Sequence, residues 1–113
     1  MKSYTDLEQS RKLAEILPLE SADMYFEPSV GFCTEPSEVR VGDIKYAHPR
    51  SVPCWSLAAL LELTPNDVSL LHFEDVYQAV YDVKPYYITN RYDNPLDATF
   101  EMMVWLKEND LKI

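Results

Sequence analysis

Val52-Pro53-Cys54-Trp55-Ser56-Leu57-Ala58-Ala59-Leu60-Leu61-Glu62-Leu63-Thr64-Pro65 is the longest nearly uncharged run of the chain, with Glu62 its only ionisable group apart from the Cys54 thiol. Prolines stand near both ends, and the interior is rich in good helix formers. A short helix that is apolar nearly all round is normally buried rather than exposed on one side. The stretch therefore predicts a central core helix, entered at Cys54, with the other elements covering it.

Toward the N-terminus, Thr5-Asp6-Leu7-Glu8 matches the capping box S/T-x-x-E, with Thr5 as N-cap. Leu7, Ser10, Leu13, Ala14 and Leu17 recur at helical spacing, which predicts a surface helix of about 12 residues that Pro18 stops. Ala22, Met24 and Phe26 alternate with Asp23 and Tyr25, the pattern of a half-buried strand. Pro28 to Pro36 reads as a loop carrying the apolar insertion Val30-Gly31-Phe32-Cys33. Val39, Val41, Ile44 and Tyr46 predict a second strand or hairpin, and Gly42-Asp43 breaks its alternation with a bulge or turn.

Toward the C-terminus, Val68-Ser69-Leu70-Leu71-His72-Phe73 fits either strand or helix. Val76–Val83 and Pro85–Tyr92 are dense in β-branched and aromatic residues and read as two antiparallel strands. Helical spacing of Val76, Val80 and Val83 also suits the first of them. Asn94-Pro95-Leu96-Asp97 starts a helix, with Asn94 as N-cap and Pro95 at its first position, and this helix should reach about Glu108. The order α-β-β-α-β-β-α implies an α+β fold in one domain over residues 1–113, an antiparallel sheet packed with three helices.

At 113 residues the chain can build one hydrophobic core without disulfide or metal staples. Its two glycines against eight prolines suggest few tight hairpin loops. A formal net charge of −9 repels phosphate, which argues against nucleic acid or an anionic membrane as partner; a basic protein partner, or plain solubility, fits better. Thr5-Asp6-Leu7-Glu8 is charged where a signal peptide would be apolar, and no run is long enough to span a membrane. With Cys54 placed in an apolar helix, its thiol is expected to be buried and reduced, and the location cytoplasmic.

Three stretches carry a resemblance. Tyr4-Thr5-Asp6-Leu7-Glu8-Gln9-Ser10 continues through Lys12-Leu13-Ala14-Glu15-Ile16-Leu17-Pro18 to Ser21-Ala22-Asp23-Met24. The others are Trp55-Ser56-Leu57-Ala58-Ala59-Leu60-Leu61, and Asn94-Pro95-Leu96-Asp97-Ala98 leading to Glu101-Met102. Together they resemble a family of small uncharacterised proteins of gut Bacteroidales genomes and their phages or mobile elements. The resemblance implies an accessory role encoded by such an element and brings no activity, cofactor or site.

Few residues suggest chemistry. Cys54, His72 and Asp75 would make a thiol-imidazole-carboxylate set, yet nothing local marks a nucleophile. Cys33, Cys54, His48 and His72 lack the spacing of metal ligands. Glycines at 31 and 42 alone leave no phosphate-cradling loop, so no cofactor is expected. The carboxylates are spread along the chain without forming a block.

Tyr77, Tyr81, Tyr86, Tyr87 and Tyr92 are the more informative group. Tyr86 and Tyr87 must point to opposite faces of a strand, so some of these rings should reach the surface. Tyrosine is favoured at interfaces because it offers large contact area with little rotamer entropy. For most of these rings, packing at the edge of the core with the hydroxyl in water is the favoured explanation. The sequence thus favours a non-enzymatic protein that binds another protein, or itself, through a tyrosine-rich surface. The alternative is a ligand pocket beside the central helix, near Cys54, Trp55 and His72.

Overall fold

A computed structural model describes residues 1–27 and 38–111. In it the central apolar stretch divides. Strand β3 occupies Val52–Cys54, and helix α2 begins only at Leu57 and ends at Leu63. Tertiary hydrogen bonds explain the break. The Trp55 N–H donates to Thr5 Oγ1, the Thr5 N–H donates to the Trp55 carbonyl, and the Leu57 N–H donates to the Ser3 carbonyl. A backbone held in this antiparallel bridge to the N-terminal segment cannot also close helical turns. Cys54 therefore ends a strand rather than opening a helix, and Ser56 caps α2 by accepting from the Ala59 N–H. Pro53 fits because β3 pairs with one neighbour only and a missing donor costs little at a sheet edge. The helix is also not buried all round: Ala59 and Leu60 face inward, while Ala58, Leu61 and Glu62 are exposed.

Helix α1 spans Leu7–Ala14, shorter than its apolar spacing predicts. Its capping box sits one residue later than expected, with Asp6 as N-cap and Gln9 as the reciprocal partner. Thr5 is withdrawn from capping because its hydroxyl is buried against Ser10 at 2.7 Å and against the Trp55 N–H. Ser10, Leu13 and Leu17 point into the core, as the stripe implies. Strand β1 is Met24–Glu27 and β2 is Glu38–Val41, and the loop expected over 28–36 lies outside the described residues. At the end of β2, Gly42 has φ 151°, a backbone angle that favours glycine, and donates its N–H to Asp23. Ile44–Tyr46 then forms a short 3-10 turn instead of a continued strand.

In the second half, β4 (Val68–Phe73), β5 (Val76–Tyr81) and β6 (Tyr87–Ile88) follow, then α3 at Pro95–Glu108, with Asn94 as N-cap and Pro95 at its start. The class is α+β, as expected, but the strands form two antiparallel sheets rather than one, ordered β2-β1-β3 and β4-β5-β6. Val68–Phe73 resolves as strand because it pairs along its whole length with Val76–Tyr81. A two-residue loop, Glu74-Asp75, joins them, with Glu74 at φ 54°. A tight hairpin loop is thus made here without glycine. Leu13, Leu17, Trp55, Leu60, Ala79, Tyr81, Leu96, Met102, Met103 and Leu106 share one buried cluster, so all three helices and β5 cover a common core. Among the described residues no helix is long and apolar enough to cross a membrane.

Candidate functional site: the outer face of the second sheet

Register and strand parity sort the second sheet into two faces. Tyr77, Ala79 and Tyr81 of β5 share a face with Val68, Leu70 and His72 of β4 and with Tyr87 of β6. Helix α3 packs on this inner face: the Trp105 ring stacks on Tyr87 at 4.5 Å and tilts against Tyr81 at 5.4 Å. The other face carries Leu71 and Phe73 from β4, Val76 and Val80 from β5 and Ile88 from β6, with Ser69 and Gln78 as its polar members. None of those five apolar residues belongs to the buried cluster or packs against it. Leu71 is 44%, Phe73 48% and Ile88 59% exposed. A half-covered antiparallel sheet usually presents mainly polar residues to water on its open face, whereas here Ser69 and Gln78 are outnumbered by apolar residues.

The sequence-predicted tyrosines divide across this architecture. Tyr81 is buried, so it is core and not surface. Tyr77, Tyr87 and Tyr92 are half-buried and pack against the core, and Tyr86 is the most exposed of the five at 66%. Tyr77 stacks on the His72 ring at 4.0 Å near the hairpin end. Tyr87 and Tyr92 both donate their hydroxyls to Glu101 on α3, which also accepts the Asn90 N–H at 3.1 Å. Hydrogen bonding to that carboxylate, reinforced by burial, pushes the Tyr87 phenol up to about 12. Burial raises Tyr92 too, and Glu101 adds to the effect. For Glu101 itself burial opposes ionisation, but the bonds from Tyr87, Tyr92 and Asn90 outweigh it and hold the carboxyl below its usual range. This cluster clamps β6 onto α3. Its chemistry is structural, since each polar atom involved faces another part of the fold.

Cys54, Trp55 and His72 do not form a common pocket. Cys54 and Trp55 are fully buried in and after the first sheet, whereas His72 is exposed on the second. The Cys54 thiol donates to the Thr5 carbonyl at 3.3 Å, and burial raises its pKa, the opposite of what a nucleophile needs. The Trp55 indole N–H donates to Ser21 Oγ. Asp75 sits at the β4–β5 loop, so the thiol-imidazole-carboxylate set is not assembled. Cys33 lies outside the described residues, and among those described no group of three potential ligands could hold a metal. A groove of about 540 Å³ lies between α1 and α3, lined by Tyr92, Phe100 and Val104 and by charged residues that include Glu8, Lys12 and Glu15.

The outer-face residues Leu71, Phe73 and Ile88 were not singled out by the sequence. Ser69, Leu71 and Phe73 share one strand parity, but parity alone does not say which face α3 covers. Comparison of the chain with protein-family models, with curated proteins and with solved structures finds no match.

Proposed function

We propose that this chain is a small acidic interaction module that binds another protein through the outer face of the β4-β5-β6 sheet. The observation that carries the reading is the exposure of Leu71, Phe73 and Ile88 together on one face. Contiguous apolar surface that a fold leaves in water marks an interaction site more often than chance does. Tyr86, the exposed one of the five C-terminal tyrosines, lies in the connection into β6, two residues before Ile88. Glu74 and Asp75 border one end, Asp67 and Asp82 the other, with Lys84 beyond. An acidic border around a mainly apolar face suits a partner that carries basic residues around apolar ones, and repels phosphate-bearing surfaces. The resemblance to small proteins of Bacteroidales and their mobile elements accords with an accessory role of this kind.

Selection of a displayed random-peptide library on the immobilised chain tests the reading. Enriched peptides should combine apolar residues with Lys or Arg, and they should lose binding to a Leu71→Ser/Ile88→Ser variant. Both changes fall on exposed side chains, so the variant should melt within a few degrees of the parent. Peptides that bind parent and variant equally would assign recognition to another surface.

A further inference from the structure

The outer face is small for a stable complex. β4 is about 20 Å long and the three strands span roughly 10–14 Å, well short of the ~800 Å² that a partner usually contributes. A partner held at this site needs additional contacts, and β4 offers them along the edge that pairs with no strand among the described residues. Tyr77 exchanges N–H and carbonyl bonds with Tyr92, so its backbone groups point away from β4. Ala79 also points its groups toward Thr89, accepting the Thr89 N–H and donating its own N–H to Thr89 Oγ1. In an antiparallel pair, residues directly opposite one another turn their backbone groups either both inward or both outward. His72 and Leu70, opposite Tyr77 and Ala79, therefore aim their N–H and carbonyl groups outward, and among the described residues β4 has a strand neighbour on one side only.

Natural edge strands are normally blunted by charge, proline or a bulge. Val68-Ser69-Leu70-Leu71-His72-Phe73 carries no proline, lysine or carboxylate and pairs without a bulge. We propose that β4 is a strand-addition site, and that its occupant is an extended segment of another protein with alternating apolar residues and Lys or Arg at both ends. This rests on the functional reading above and specifies the partner. Main-chain bonds at Leu70 and His72 would supply affinity, and the segment's apolar side chains would extend the surface made by Leu71 and Phe73. The charge preference follows from position. Asp67 precedes β4 and Glu74-Asp75 follows it, all exposed, so either direction of the added strand brings its ends beside carboxylates. A second copy fits poorly for the same reason. Antiparallel self-pairing centred on Leu71 sets Asp75 of each copy opposite Asp67 of the other.

The test uses a synthetic peptide of alternating valine and threonine with a lysine pair at each end, read by amide hydrogen exchange of the intact chain. The Leu70 and His72 amides should slow by about tenfold or more when the peptide is bound. Peptides N-methylated on the valines alone or on the threonines alone should differ, one retaining binding and the other losing it, because alternate amides face β4. His72→Pro removes an outward donor and no β4–β5 ladder bond, and should abolish binding while the fold persists; His72→Ala, which loses the same ring from its stack on Tyr77 but keeps the donor, should still bind, and Leu71→Lys should weaken binding. Absence of binding by the lysine-ended peptide would overturn the inference, as would equal binding of both methylated forms. Library-selected peptides that bind through Leu71 and Ile88 yet leave Leu70 and His72 exchanging freely would overturn strand addition and leave the face as the site. Protection of these amides by self-association alone would replace the proposed occupant with a second copy.

Discussion

Glu101 is the residue on which the second half of the molecule turns. One carboxylate accepts from Tyr87, Tyr92 and the Asn90 N–H, and so ties β6 and the segment after it to α3. Replacing it by glutamine leaves one good acceptor for three donors and should cost about 1–2 kcal/mol at neutral pH by denaturant titration. The pH dependence has two limbs of opposite origin. For Glu101, and for Asp97, burial opposes ionisation but donors outweigh it, from Tyr87 and Tyr92 in the first case and from Asn94, Lys2 and Gln9 in the second. A lowered carboxyl contributes stability that is present above the ordinary values of 4.5 and 3.8 and is lost as pH falls through the folded values. Tyr87 works the other way. Raised from 10.0 to about 12, it contributes stability present below the unfolded value and lost as pH rises through the folded one. Glu101→Gln should flatten both limbs, leaving the Asp97 contribution on the acid side. A variant with the parent's pH profile would show that the clamp does not govern it.

At the scale of elements, the β4–β5 hairpin closes through Glu74 in the left-handed region, which a residue with a long side chain occupies at a cost of about 1 kcal/mol. Asparagine tolerates this region far better. Glu74→Asn should therefore stabilise the chain by about 0.5 kcal/mol, seen as a higher denaturation midpoint with an unchanged slope. An unchanged or lower midpoint would mean that the glutamate's charge, not its backbone, sets its worth. Helix α3 shows the contrasting case, where every local preference agrees with the final structure. Asn94 accepts from the Asp97 N–H, Pro95 needs no donor at the first turn, and Asp97 lies where the helix dipole favours an anion. Lys2 and Gln9 then bind the same carboxylate and lock the start of α1 to the start of α3.

For the whole molecule, a formal charge of −9 opposes association between copies while an apolar face and an open edge favour it. The balance should depend on salt. At about 0.1 M the Debye length is about 10 Å, long enough for repulsion between acidic borders, and at 1 M it falls to about 3 Å. Light scattering should give the mass of one chain at the lower salt and a rising average mass at the higher. A dimer that persists at low salt would show that charge does not decide the question.

The sequence by itself determined the class of fold, the position and ends of α3, the inward stripe of α1 and the antiparallel pairing of the strands rich in tyrosine. Each of these follows from local chemistry, a cap, a proline at a first turn or a period of 3.6 or 2, which needs no distant neighbour. Where long-range bonds competed, only the tertiary structure could decide. Thr5 left its capping position to bond Trp55 and Ser10, and with it Val52–Ser56 left the helix that its composition favours. The same holds for the tyrosines and for the candidate site. Alternation divides a strand into two faces but is symmetric between them, and it is the seating of Trp105 on Tyr81 and Tyr87 that buries one parity and leaves Leu71, Phe73 and Ile88 in water.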